Sequence, residues 1–303
     1  MEFLDCNLAF GPDTMKGELP GCPDVGGLIY QLERAGVAGG LVYYAMNEPI
    51  QGNDIIADII SENTAAANAV SAAANAVSAT AKAVSATANA VSANAKAVSA
   101  NAGDVAGNTG APAPAAPGPL LYGVWSLLPS CTGETAPPDK MPAAMKRNNI
   151  AALTINPKAN RFLPSASAIG DYLEMAQERS IPVLLNTGRG LTLEDVDALM
   201  RDFNKLTAIL TFANCWPSDR LLLPFLDACP NLYLDMAHIQ TAAWLPDITG
   251  KYPARRVLYG SGFPECYPGA HMMVIKHAMI DEGDKALIAG GNLKRLMGEA
   301  RYD

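Results

Sequence analysis

Four residues of this 303-residue chain join acid–base capacity to positions at the ends of short apolar runs: Asp5 in FLDCN, Asp235 and His238 in LDMAH, and Glu265 in GFPE. Carboxylates and an imidazole so placed could exchange protons with a bound molecule. The competing role is structural, because a carboxylate beside a core needs a Lys or Arg partner and a loop histidine can be an ordinary polar contact. Positive charge gathers in two further run ends, Lys158 and Arg161 in NPKANRF and Arg189 in NTGRG. On a chain with 22 Lys+Arg against 30 Asp+Glu, net −8, such a cluster suits a ligand carboxylate unless those cations are paired in solvated loops. Asn7, Asn186, Asn214 and Ser261 add hydrogen-bonding groups, and Trp125 offers a stacking face. The same amides could instead satisfy buried backbone groups, and the indole could cap the core.

Other chemistries are disfavoured. The six cysteines (Cys6, Cys22, Cys131, Cys215, Cys229, Cys266) form no CxxC pair, so neither a zinc knuckle nor a disulfide framework is expected; they read as packing thiols. His271 and His277 stand six apart on a helical pattern and do not share a face as metal ligands. Ser261 in GSGFP has Tyr259 where a nucleophilic-serine motif needs glycine, and NTGRG and AGG lack phosphate-binding spacing. No cofactor and no metal is therefore expected. The acidic balance with no basic stripe excludes nucleic acid as a partner, and no apolar run reaches the roughly 18 residues of a membrane span. The opening MEFLDCNLAFG has no signal-peptide pattern, so a cytoplasmic location is expected.

The elements that must position these residues follow one grammar, apolar runs alternating with helical patterns. Strands are expected at Glu2–Asn7, Gly40–Ala45, Leu121–Leu127, Ala151–Asn156, Pro182–Asn186, Ala208–Ala213, Leu232–Met236 and Arg256–Tyr259. Helices are expected near 24–35, 52–62, 138–148, 166–179, 192–204, 217–228, 239–249, 269–281 and 284–299. Thr192 is a candidate N-cap, Ser218-Asp219 opens another helix, and Gly36 and Gly283 fall where C′ residues belong. Eight βα units make a single α/β domain, a (β/α)8 TIM barrel, with sites at the C-terminal strand ends. On the first strand, Asp5, Asn7 and Ala9 share one parity.

The barrel is discontinuous, 1–63 with 120–303. Residues 64–119 differ in composition, with a seven-residue unit (ANAVSAA, ANAVSAT and variants) followed by a Pro/Gly-rich return. An odd period would alternate its valines between sheet faces but keeps them near one helical stripe, so helix is favoured. The segment is either an arm for homo-oligomer formation or docking, or a low-complexity insert without a task.

The chain resembles the amidohydrolase-related (amidohydrolase 2, metal-dependent hydrolase) barrels over nearly all of its length outside the insert. FLDCNLAFG stands where that family has Asp-x-His-x-His, PVLLNTGRG where it has Pro-Val-x-x-His-x-Gly, and VLYGSGFP where it has Gly-Ser-Asp-x-Pro; ILTFANCWPSDRLLLPFLDACPNLYLDMA and GGNLKRLMG also agree. The resemblance implies decarboxylase or hydrolase chemistry on small carboxylated or cyclic substrates at a metal site. It also implies that all five metal positions have changed, to Asn7, Ala9, Asn186, Asn214 and Gly262. Amide oxygens are poor replacements for imidazole at a transition metal, and Ala and Gly donate nothing.

Three readings stand. The chain binds a small polar or carboxylated molecule through Asn7, Trp125, Lys158, Arg161, Asn186, Arg189, Asn214 and Ser261; or it is a hydrolase or lyase with a rebuilt, metal-independent mechanism on Asp5, Asp235, His238 and Glu265; or it is a scaffold whose insert makes the contacts.

Overall fold

The computed structural model describes residues 1–12, 14, 21–46, 48–69, 71–72, 118–213, 219–239 and 243–303. By its contacts the chain divides into two compact units, Met1–Glu62 with Pro119–Asp303, and Asn63–Gly118. In the second unit, residues 63–69, 71 and 72 are helical, and the rest of the repeat lies outside the described residues.

The first unit is a TIM barrel. Its eight strands are β1 (Leu4–Phe10), β2 (Gly39–Tyr44), β3 (Leu120–Leu127), β4 (Ile150–Ile155), β5 (Val183–Asn186), β6 (Ala208–Thr211), β7 (Leu232–Asp235) and β8 (Val257–Leu258), each parallel to the next. Beyond β8 the chain runs along β1: Cys6 N donates to Tyr259 O (3.0 Å), Gly262 N to Asn7 O (3.1 Å) and Ala9 N to Phe263 O (2.9 Å). These bonds nearly close the ring. Strands of a fully covered parallel sheet are apolar on both faces, which is why the sequence marks them as continuous runs.

Two apolar clusters result. Leu4, Cys6, Ala9, Leu41, Tyr43, Val124, Ala152, Leu184, Ile209, Tyr233 and Leu258 fill the inside of the barrel. Phe3, Leu8, Phe10, Val42, Leu153, Leu185, Leu210 and Leu234 pack outward against the helices. The glycine pair opening β2 is sterically required: a Cβ on Gly39, at φ 148°, would lie 2.0 Å from Leu120 O, and one on Gly40 would lie 2.0 Å from Asp5 O.

The helices are α1 (Val25–Ala35), α2 (starting at residue 49), α3 (Met141–Arg147), α4 (Pro157–Asn160), α5 (Ala166–Arg179), α6 (Leu193–Asp202), α7 (Asp219–Ala228), α8 (Trp244–Lys251), α9 (Pro268–His277), α10 (Glu282–Ala286) and α11 (Asn292–Glu299). Gly36 ends α1 in the left-handed region, and Thr192 opens α6 in a reciprocal capping box with Asp195. Two expectations need correction. Gly283 lies inside α10 rather than beyond a helix end, since α9 stops at His277. The helix expected from 239 begins at Trp244, because Ile239 N bonds back to Met236 O (3.0 Å) in a turn. Among the described residues no helix is long and apolar enough to cross a membrane.

Candidate functional site

At β1 the register slips between Asp5 and Leu8, so that Leu4 and Cys6 face inward, Leu8 and Phe10 outward, and Ala9 inward again. Asp5 and Asn7 therefore do not share a face, contrary to the expected parity. Asp5 is instead anchored on the outer side, accepting from Asn7 N (2.9 Å) and from Ser261 N (3.0 and 3.2 Å). Ser261 is fully buried in this turn and accepts from Phe263 N (3.1 Å), so it braces the loop after β8.

Asn7 turns inward and donates through Nδ2 to Asp235 Oδ2 (2.8 Å), while Phe212 N donates to Asp235 Oδ1 (3.2 Å). Neither Asp5 nor Asp235 has the Lys or Arg partner that a structural role for them would predict; both are capped by amides among the described residues. Hydrogen bonds to a carboxylate favour its charged form, but complete burial outweighs them: Asp5 is raised from 3.8 to about 7 and Asp235 from 3.8 to about 8. Proximity to Asp5 raises Asp235 further.

Along the adjoining strands, Asn186 pairs in register with Thr211. Asn186 Oδ1 and Thr211 Oγ1 are both buried without a hydrogen-bond partner. Phe212, which follows Thr211, has φ 60°, a conformation costly for a bulky residue. That backbone carries its ring across the mouth of the barrel. A Cβ on Gly188 would lie 3.3 Å from the ring and one on Gly262, at φ 70°, would lie 2.9 Å from it. The ring also meets His238 edge-on at 4.9 Å. His238 itself holds φ 67° and lies 3.4 Å from Glu265 Oε2. Hydrogen bonds to Cys266 and Glu265 raise its pKa from 6.5 to about 10.

On the other side of the mouth, a cavity of about 420 Å³ is lined by Met46, Asn156, Lys158, Ala159, Gly188, Arg189 and Gly190. Lys158 comes from α4 after β4, and Arg189 from the single turn Thr187–Arg189 after β5. The Arg189 guanidinium stacks on the Tyr43 ring at 4.1 Å, which fixes its direction. Burial raises the Tyr43 hydroxyl above its ordinary 10, with Arg189 opposing that shift. Asn156 donates to Ser126 Oγ (3.2 Å) and leaves its buried Oδ1 unpartnered.

Two expected ligand contacts stand elsewhere. Trp125 follows the inward Val124, so it faces outward; its Nε1 donates to Asn53 O (3.0 Å) on α2, and it lines a separate groove with Asp54 and Asp58. Arg161 is exposed at the end of α4, outside the lining of the cavity that holds Lys158. Asn214 lies outside the described residues. Phe212, Tyr43 and Asn156 belong to the mouth but were not singled out by the sequence as site residues. Strand alternation could have drawn attention to Tyr43 and Asn156; the left-handed turn at Phe212 has no signal in the sequence.

No protein-family profile and no curated protein matches the chain. Solved structures do. A 2,6-dihydroxybenzoate decarboxylase from Rhizobium aligns with TM-score 0.61 at 11% identity, over 98% of this chain and 99% of that one. A probable 2-pyrone-4,6-dicarboxylic acid hydrolase from Acinetobacter baumannii, with citric acid bound, gives 0.58 at 12% identity over 98% and 100%. An uncharacterized TIM-barrel protein from Bordetella bronchiseptica gives 0.57 at 16% identity over 91% and 83%. At such identities the likeness is one of fold: the chain shares the barrel architecture of these decarboxylases and hydrolases.

Proposed function

We propose that the barrel binds a small carboxylated molecule in the cavity between the ends of β4 and β5, without a divalent metal held in the manner of the amidohydrolase-related barrels. One observation carries the reading: Lys158 and Arg189 line the same 420 Å³ space, and neither is ion-paired with a carboxylate among the described residues. Two unneutralised cations facing one concavity on a protein of net charge −8 favour an anion there. A guanidinium presents two parallel N–H donors to a carboxylate, and the ammonium adds a point charge. The names of the decarboxylase and hydrolase neighbours refer to carboxylated ring compounds, which fits the same ligand class.

The donor set supports the metal-free part of the proposal. Ala9 offers no donor atom, a side chain at Gly262 would collide with Phe212, and Asn7 and Asn186 offer only neutral amide oxygens, weak ligands for a transition metal. Among the described residues no three His, Cys, Asp or Glu are grouped to hold an ion. The full burial of Asp5 and Asp235 favours binding over proton exchange with a ligand at the rim.

Calorimetric titration with 2,6-dihydroxybenzoate, a pyrone dicarboxylate and citrate tests the proposal. Lys158→Glu and Arg189→Glu are each expected to weaken binding by about tenfold or more, since losing a charge-assisted contact costs about 1.5–3 kcal/mol. Equal affinity in both variants refutes the site. Stoichiometric zinc or manganese in the native protein, lost on replacing Asn7 or Asn186 by alanine, refutes the metal-free reading.

A further inference from the structure

The groove that Trp125 lines is a second concavity, of about 490 Å³, formed by α2, the loop after β3 and α3. Ile50, Ala57, Met141 and Ala144 give it an apolar lining, while Asp54, Asp58 and Glu134 bring three carboxylates to it against the single guanidinium of Arg147. None of these four charged groups is ion-paired among the described residues. Asp54 and Asp58 stand four apart on α2 and share one helical face, an arrangement of like charges that disfavours the helix unless a cation lies between them. Asn53, one residue earlier, ties that face to the barrel. Its side chain accepts from Ser126 N (2.8 Å) and donates to Ser126 O (2.9 Å), and its main-chain carbonyl accepts from Trp125 Nε1 (3.0 Å). These bonds fix α2 against the end of β3, so the indole and the carboxylates meet a ligand as walls already in place.

We propose that this groove binds a small organic ammonium ion that carries an apolar body. The excess of carboxylates and the electron-rich face of the indole attract the ammonium, and the body covers the apolar lining. A metal ion is the other cation that an acidic groove could take, but among the described residues no three His, Cys, Asp or Glu are grouped to hold one. The same charge excess disfavours an anion, which separates the groove from the cavity at Lys158 and Arg189. Arg147, in the last turn of α3, is the opposing group: its guanidinium competes with the ligand for the carboxylates.

Calorimetric titration of the full-length protein at pH 7 and low ionic strength, with phenethylammonium and its uncharged isostere phenethyl alcohol, tests the proposal. The amine is expected to bind at least about fivefold more tightly than the alcohol. Asp54→Asn and Asp58→Asn, both at exposed positions, are each expected to weaken the amine about two- to fivefold while leaving the alcohol unchanged. Arg147→Ala is expected to strengthen the amine by about the same factor. Glu194→Gln removes one exposed negative charge from α6, outside the groove, and is expected to leave the amine affinity unchanged. Absence of amine binding overturns the proposal, as does equal affinity for amine and alcohol. So does a loss in Asp54→Asn and Asp58→Asn no greater than in Glu194→Gln, which would mean attraction to the net charge of the chain alone.

Discussion

Asp235→Asn tests whether burial, rather than hydrogen bonding, rules the carboxylates beneath the barrel mouth. In the folded chain Asp235 keeps its proton up to about pH 8, whereas in the unfolded chain it loses it near 3.8. Between those values the native state binds a proton that the unfolded state has released, so stability falls as pH rises through the window. One such group tilts stability by about 1.4 kcal/mol per pH unit, or about 3 kcal/mol from pH 5 to 7, a large share of a typical 5–15 kcal/mol total. Asp5, raised to about 7, adds a tilt of the same sign that fades at the top of this range. His271, whose pKa burial lowers, works in the opposite direction below its ordinary 6.5. Comparing variant with wild type cancels these other contributions to first order. Urea denaturation at pH 5, 6 and 7 is expected to show stability decreasing in the wild-type protein, with the Asp235→Asn slope less steep by about one proton. At pH 5 the variant gains nothing, because the protonated carboxyl already fits and Asn7 must reorient toward a second amide. Parallel slopes in the two proteins would refute the reasoning and mean that the N–H groups of Asn7 and Phe212 keep Asp235 ionised.

Two further predictions rest on packing. Gly262→Ala places a methyl 2.9 Å from the Phe212 ring and 3.2 Å from Ala237 in a left-handed backbone, and is expected to lower unfolding free energy by about 1–3 kcal/mol in urea. Native stability in that variant would mean that Phe212 does not occupy the mouth as described. Arg256 is buried and donates to Leu232 O (2.7 Å), Cys229 O (2.7 Å) and Leu226 O (3.4 Å), joining β7 and the end of α7 to β8. Arg256→Met preserves much of the stem but orphans these carbonyls, and a loss of about 2–4 kcal/mol is expected; a change below about 0.5 kcal/mol would show that they find other partners.

The ring of strands was legible because a doubly covered parallel sheet writes each strand as a continuous apolar run, and all eight expected strands overlap the observed ones. β1 was placed too early: the expectation ended at Asn7, while the strand continues through Leu8-Ala9-Phe10. At the register slip Asp5 accepts from Ser261 N, 256 residues away, a contact that local alternation does not contain. The outward position of Trp125 was within reach of alternation, since Val124 must fill the barrel and its neighbour must then face the helices. Phe212 was beyond it. In ILTFAN it reads as one more strand residue, whereas in the fold it takes a left-handed conformation with its N–H donated to Asp235.

The mouth is consequently divided by charge. From β4 to β5 it presents Lys158 and Arg189 around open space, and beside β7 and β8 it holds the buried Asp235, whose Oδ1 accepts from Phe212 N, and the partly exposed pair His238 and Glu265, with the Phe212 ring against His238. Tyr43 joins the two: its ring supports Arg189, and its hydroxyl feels the charges of Glu265 and Asp235 as well as that of Arg189. With its pKa raised to about 8, the Asp235 carboxyl is neutral at pH 7 and does not repel an anion, so under the proposed reading a ligand carboxylate is placed by its attraction to Lys158 and Arg189. Arg189→Glu is then expected to remove carboxylate binding in the calorimeter, while His238→Asn, outside the cavity lining, leaves it unchanged; equal affinity in the two variants would refute the assignment.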